Sequence, residues 1–431
     1  MLDGFIMLGV LTGILGLMAG VRLLRKRLGL SAEVQRKMVH VATGSAALTF
    51  PWVFSSATPV LILLGVAAAI MLLMRQSKVA MRHMGAVLHD VQRNSYGEIY
   101  LVLSVGLLFI RSTDMPILYV LPLLVVTLSD TASALVGTRY GQARFAVEEG
   151  TKSLEGVVAF FVVTWLSAMI ALLLMTDAAR INVIVLSLLI AAFCALVEAD
   201  SWKGLDNLFI PVGAHLLLAR HLETPPLEMM LVGAVFVAAI FGMRAIAPVL
   251  NISTHAARAY TILIFLVLSV AGVHNAALPV LAIAAHMFAR SVHPCKARYP
   301  DLNLLAAATG VALTWMVAGQ TLGQNVINLY NYTFGVVALI FFGLALKGYW
   351  RFALLPLMGA TGALWLWSIS MNPEADVWNN PSLPLMLAGV VLPMTLVSVV
   401  PDWFDTYRHA KAFALAALIP IALYLNAGAL P

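Results

Sequence analysis

Two short polar stretches hold residues from which a phosphate and metal site can be built. The first, LSDTASALVGTRYGQARFAVEEGTKSLEG (128–156), carries Asp130, Lys152, Ser153 and Glu155 among small residues. The second, EADSWKGLDNLFIP (198–211), carries Glu198, Asp200, Asp206 and Asn207. Carboxylates and an amide are oxygen donors of the kind Mg²⁺ takes, a few at a time, alongside substrate phosphates. Lys152-Ser153 opens an apolar run that reads as a helix. A helix N-terminus offers free N–H groups and a positive dipole end, and an adjacent lysine adds charge for phosphate oxygens. GTKSLEG is not a P-loop, which needs GxxxxGK[ST]. The series Thr131, Ala132, Ser133, Ala134 and Gly137, with Gly141 beyond it, lets either a neighbouring helix or a ligand approach the backbone.

The elements that must position these residues lie between and before them. Residues 157–197 are mostly apolar, enough for two membrane crossings of about 20 residues each. Such an out-and-back hairpin returns the chain to the face it left. It brings Asp130, Lys152 and Glu155 to the same edge as Glu198, Asp200 and Asp206. Charges at the ends of apolar helices are costly unless they pair or bind a metal or ligand. Upstream, RKMVHVATG places Arg36, Lys37 and His40 at the mouth of an earlier span, and Tyr96-Gly97-Glu98 opens another. His40 reads either as a packed, hydrogen-bonded residue or as part of the site. Glu98 reads either as a helix N-terminal acid or as a site residue.

The composition sets the class. Of 431 residues, 61% are hydrophobic and 11% charged, and the mean hydropathy is +0.94. That excludes a soluble domain and indicates an all-α, polytopic membrane bundle. The apolar runs lack the alternation of an outer-membrane barrel. Two cysteines, Cys194 and Cys295, suggest neither a disulfide framework nor a structural zinc site. The run Phe5–Val21 has no basic stretch before it and reads as a retained span. Spans are expected at 4–21, 40–54, 57–74, 97–110, 116–135, 154–175, 181–198, 208–222, 227–247, 259–273, 276–290, 302–320, 332–346, 352–370, 383–400 and 412–428, about sixteen in all. Of the 26 Lys and Arg residues, all but Arg111, Arg180 and Arg220 fall in alternate loops. The net charge of +6 therefore encodes orientation, not nucleic-acid binding. It predicts a cytoplasmic-membrane protein with both termini outside and both polar stretches at the cytoplasmic face.

The polar motifs concentrate before Thr224-Pro225-Pro226. Residues 1–224 read as a catalytic membrane domain and 225–431 as a second membrane domain of open role, without an internal repeat between them. The alternative is one continuous bundle. In the second half, His286, Arg290, Asp402 and Asp405 read as isolated structural or loop residues.

Four pieces, in order, carry a resemblance: RKMVH (36–40), SYGEIY (95–100), the block from SDTASALVGTRYGQARF to TKSLEG, and VEADSWKGLDNLFIP. Over roughly residues 20–220 the chain resembles the CTP-dependent polyprenol kinases, a family that includes dolichol, phytol and farnesol kinases. The resemblance implies transfer of the γ-phosphate of CTP to the hydroxyl of a lipid alcohol. Phosphoryl transfer needs chiefly positioning and charge neutralisation. On this reading Asp130, Asp200 and Asp206 hold Mg²⁺. Lys152, Ser153, Arg36 or Lys37, with His40, Gly137, Gly141 and Asn207, surround the nucleotide. Glu155 or Glu198 orients the alcohol or acts as base. A cytidylyltransferase forming a CDP-lipid, or a transporter, is the alternative.

Overall fold

The computed structural model describes residues 2–76, 96–112, 114–147, 150–323, 325–374 and 382–429. Lys78, Arg82 and Arg93, three of the basic residues counted in alternate loops, and Ser95 of SYGEIY lie outside these. The chain divides into two compact units, Met1–Ile240 and Phe241–Pro431. The division falls inside the helix that follows Thr224-Pro225-Pro226.

In the first unit the elements are α1 (Leu2–Leu28), α2 (Ala32–Leu48), α3 (Phe50–Val53), α4 (Ala57–Gln76), α5 (Gly97–Arg111), α6 (Ile117–Leu124), a π-helical turn (Val125–Ser129), α7 (Asp130–Tyr140), α8 (Leu154–Met175), α9 (Arg180–Asp200), α10 (Asp206–His221) and α11 (Pro226–Ile246). One departure from an all-helical reading lies in the loop before α8. There β1 (Arg144–Val147) and β2 (Gly150–Ser153) form an antiparallel hairpin, with Phe145 opposite Lys152. β-Branched Val147 and Thr151 suit that pairing.

Eleven helices among the described residues are long and apolar enough to cross a membrane, and Ala57–Leu73 and Leu383–Val399 are shorter apolar helices. In place of the span expected at 40–54, α2 starts earlier and takes Arg36, Lys37 and His40 inside it, with the one-turn α3 after it. The spans expected at 97–110 and 208–222 correspond to α5 and α10, and α2, α5 and α10 have 17, 15 and 16 residues. On α8, Leu154, Val158, Val162, Leu166, Ile170 and Leu173 are exposed. Their spacing forms one apolar stripe that water would not tolerate and lipid would. The molecule is a polytopic membrane protein built from helices.

The second unit holds α12 (Thr254–Ala271), α13 (Val273–Val292), α14 (Pro300–Leu322), α15 (Ile327–Ala345), α16 (Leu354–Ser370), α17 (Leu383–Val399) and α18 (Arg408–Ala429). Short 3₁₀ turns, Gly348–Ala353 and Pro401–Asp405, precede α16 and α18. Helix α15 is almost wholly buried and packs against α13, α16, α17 and α18. Polar side chains in this unit pair with one another, as they must in a bilayer. Asn275 accepts from Asn331 at 2.6 Å and from Asn372 at 2.8 Å. Asp301 joins the two residues that looked isolated in the sequence. It accepts from Tyr260 at 2.8 Å, lies 3.3 Å from His286 and is bonded to Arg290.

Candidate functional site

The site begins with the way α2 lies antiparallel along α6, the π turn and α7. Lys37 Nζ sits 2.6 Å from Asp130 Oδ2. One turn further along α2, His40 Nε2 approaches the Val126 carbonyl at 3.0 Å and Asp130 Oδ2 at 3.4 Å. Gly44 meets the side chain of Thr127. Near the end of α2, Tyr119 donates to the carbonyl of Ala47 at 2.8 Å, satisfying one of the acceptors that a helix C-terminus leaves open. Arg36 pairs with Glu33 at 2.7 Å. Burial alone would lower Arg36, but that bond and the charges of Glu33, Asp130 and Asp206 raise it above its ordinary value. Burial likewise works against the Glu33 carboxylate, and Arg36 and Lys37 nevertheless hold it below the usual range.

Helices α8 and α9 pack along their length as a hairpin, so the start of one meets the end of the other. Lys152 Nζ donates to Glu198 Oε1 at 3.0 Å, to Ser201 Oγ at 2.9 Å and to the Glu198 carbonyl. Ser153 caps α8 by accepting from Gly156 N at 3.2 Å, a typical N-cap. A turn through Lys203 and Gly204, both at positive φ (54° and 81°), reverses the chain into α10. Glycine takes that conformation freely, whereas lysine does so at a cost of about 1 kcal/mol.

The result is a three-acid group. One carboxylate oxygen each from Asp130, Glu198 and Asp206 lies within 4.8 Å of the others. Three different helices supply them, α7, α9 and α10. Asp130 and Glu198 are buried. A buried Glu198 oxygen, Oε2, and the Asn207 amide oxygen make no hydrogen bond within the described chain. These are hard oxygen donors, and a divalent cation fits them.

The structure groups Asp130 and Asp206 with Glu198; Asp200, expected beside them, is buried but is not one of the three clustered acids. Residues two apart on a helix do not face each other, and Asp200 ends α9 two residues beyond Glu198. Lys37 faces Asp130, and Arg36 stands close enough to act on Asp130 and Asp206. Glu155 has a different engagement: its Oε1 accepts from the Gln142 and Ala143 amides, each at 3.0 Å, and so closes the loop before the hairpin. Gly137 and Gly141 pack on Ser153. A β-carbon at Gly141 would come within 2.7 Å of the Ser153 Cβ, and one at Gly137 within 2.9 Å of its Oγ. Their smallness lets α7 meet the start of α8. Glu98 lies in the first turn of α5 and is not one of the three clustered acids. Two partners were missed, Ser201 and Glu33. Glu33 was legible as an i,i+3 pair with Arg36; Ser201 had no signal beyond adjacency to Asp200.

No protein-family model matches the chain, and no solved structure matches it. Among curated proteins, the phytol kinase of Synechocystis sp. is 33% identical over 217 residues, which cover 49% of this chain and 90% of that protein. At that identity, and over nearly the whole relative, the chain belongs to the phytol kinase family.

Proposed function

We propose that the first unit is a lipid-alcohol kinase that moves the γ-phosphate of CTP to the hydroxyl of an isoprenoid alcohol at one membrane face. The observation that carries the reading is the meeting of Asp130, Glu198 and Asp206 beside Lys37 and Lys152. Family membership supports the same chemistry. Asp130, Glu198 and Asp206 would hold Mg²⁺, which when bound supplies charge neutralisation for the phosphates. Lys37 pairs with Asp130 at 2.6 Å and holds it in place. Lys152 sits where the positive end of α8 meets the acids; its three bonds hold Glu198 and Ser201, and its charge favours phosphate oxygens beside them. Glu198 has one oxygen tied to Lys152 and one that makes no hydrogen bond within the described chain, and the second would be the one that faces the metal. The apolar tail would lie in the lipid around the exposed stripe of α8, with its hydroxyl at the polar edge. The cytoplasm, where CTP is available, is the side the basic loops favour.

The test incubates purified full-length protein with labelled CTP, Mg²⁺ and a panel of phytol, farnesol, a polyprenol and diacylglycerol. A phosphorylated alcohol with release of CDP is expected. Pyrophosphate release would instead identify a cytidylyltransferase, and no product with any lipid would refute both.

A further inference from the structure

The second unit contains a buried cation whose terminal nitrogens make no hydrogen bond or ion pair among the described residues, although Asp405 stands near enough to act on its charge. Arg408 is 1% exposed. Its Nε donates to the Phe404 carbonyl at 3.2 Å, while both terminal nitrogens are buried and make no hydrogen bond within the described chain. Asp405, three residues before it, is turned elsewhere: its carboxylate lies 3.6 Å from His293 and 3.5 Å from Lys296. Its carbonyl accepts from the Lys296 amide at 2.7 Å. A buried guanidinium whose terminal nitrogens go unbonded is strongly unfavourable, so its four remaining N–H donors call for an anion.

The surroundings define that anion. Arg408 opens α18, whose positive dipole end lies beside it. His293 is held below its ordinary value, by burial first and then by the charges of Arg408 and Lys347, against Asp405 and Asp402. His293 follows the end of α13 and Lys347 the end of α15, so these groups gather at one end of the unit. The exposed aromatic side chains of the two 3₁₀ turns there are Tyr349, Trp350, Phe352 and Trp403, with Tyr407 beside them, and the charged Arg351 and Asp402 are exposed among them. Amphipathic rings of that kind sit at the headgroup level of a bilayer. A guanidinium fork matches a phosphate in two bonds.

We propose that this end of the second unit is a second anion site, in which Arg408 and Lys347 hold the phosphate of a membrane-borne phosphomonoester. The site is separate from the three-acid group and does not depend on the kinase reading. A cation on His293, Asp402 and Asp405, whose ligand atoms lie within 4.8 Å of one another, is disfavoured because Arg408 and Lys296 stand beside it.

The experiment uses full-length protein in detergent, stripped of lipid, and measures binding and thermal unfolding with dodecyl phosphate, dodecanol and inorganic phosphate. Dodecyl phosphate is expected to bind and raise the unfolding midpoint, dodecanol to do neither, and inorganic phosphate to bind more weakly. Arg408→Met should weaken dodecyl phosphate at least about tenfold. In the stripped protein it should unfold no earlier than wild type, because an orphan charge has been removed. Lys347→Gln, at an exposed position, should weaken it about threefold without affecting folding. Unchanged binding in both variants would overturn the site. Equal binding of inorganic and dodecyl phosphate would overturn its lipid character. A Zn²⁺ response lost in Asp405→Asn and kept in Arg408→Met would make it a cation site instead.

Discussion

Replacing Lys37 with methionine tests whether Asp130 depends on one buried partner. The side chains of the pair are 2% and 10% exposed, and 2.6 Å separates them. Lys37→Met keeps the length and removes the charge, leaving Asp130 with His40 at 3.4 Å. Removing one partner of a buried pair costs about 3–5 kcal/mol. His40 remains within reach, which places this case at the lower end, about 3 kcal/mol. For a unit of this size, that lowers the unfolding midpoint by roughly 6–12 °C. Asp130→Asn should cost a similar amount, since it leaves Lys37 unpaired. The double variant Lys37→Met/Asp130→Asn removes both charges, so its loss should fall short of the sum by about 2 kcal/mol or more. Intrinsic tryptophan fluorescence of the four proteins, melted in one detergent, measures the cycle. Phosphorylation of the preferred alcohol should be lost in all three variants. Strictly additive losses of stability would refute the argument, because the two side chains would then not be interacting.

Three further outcomes follow from the same geometry. Glu198→Gln should raise the Mg²⁺ concentration needed for half-maximal turnover more than tenfold, and Asp200→Asn should not; a Mg²⁺ titration of the two variants separates the expected acid set from the observed one. Glu155→Gln retains an acceptor for the Gln142 and Ala143 amides, so its turnover should stay within about threefold of wild type, whereas a catalytic base would lose far more. Gly141→Ala forces a β-carbon against Ser153 and should destabilise the first unit by about 1–3 kcal/mol, read as a lower unfolding midpoint.

The class of the fold and the meeting of the two polar stretches are both legible in the chain, for one physical reason. An apolar run long enough for two crossings has to bring its ends back to one edge, so Lys152 and Glu198 meet whatever the details. Local rotation is harder to read. Asp200 and Glu198 stand two residues apart at the end of one helix, both are buried, and the string of letters does not show which of them shares a face with Asp130. The turn at Lys203 and Gly204 sets where Asp206 re-enters, and it re-enters beside Glu198. Gly137 and Gly141 were ambiguous for a related reason. Smallness serves a ligand or a neighbouring helix equally well, and only the position of Ser153 shows which neighbour occupies the space. In the second unit, His286 and Arg290 looked isolated because their partner Asp301 begins the following helix.

The placement of Asp130 rests on a broken helix that other helices repair. Proline has no N–H, so Pro122 in α6 cannot bond the carbonyl four residues earlier, which belongs to Leu118. That carbonyl accepts from His215 Nδ1 of α10 at 2.9 Å. The backbone then widens into the π turn Val125–Ser129, where Val126 offers its carbonyl to His40 of α2 at 3.0 Å. Ser129 at its end pairs with Thr164 of α8 at 2.9 Å. A bilayer does not tolerate open backbone groups unless neighbouring side chains satisfy them. Two backbone repairs and one side-chain bond therefore tie three helices to the segment just before Asp130: α10, which carries Asp206, and α2, which carries Lys37, through the carbonyls, and α8, which Lys152 precedes, through the Ser129–Thr164 pair. The irregularity that turns Asp130 inward is held by the same helices that bring its partners, so the site and its supports form together. His40 meets both the Val126 carbonyl and Asp130, so each of the two roles open to it in the sequence finds a contact in this arrangement.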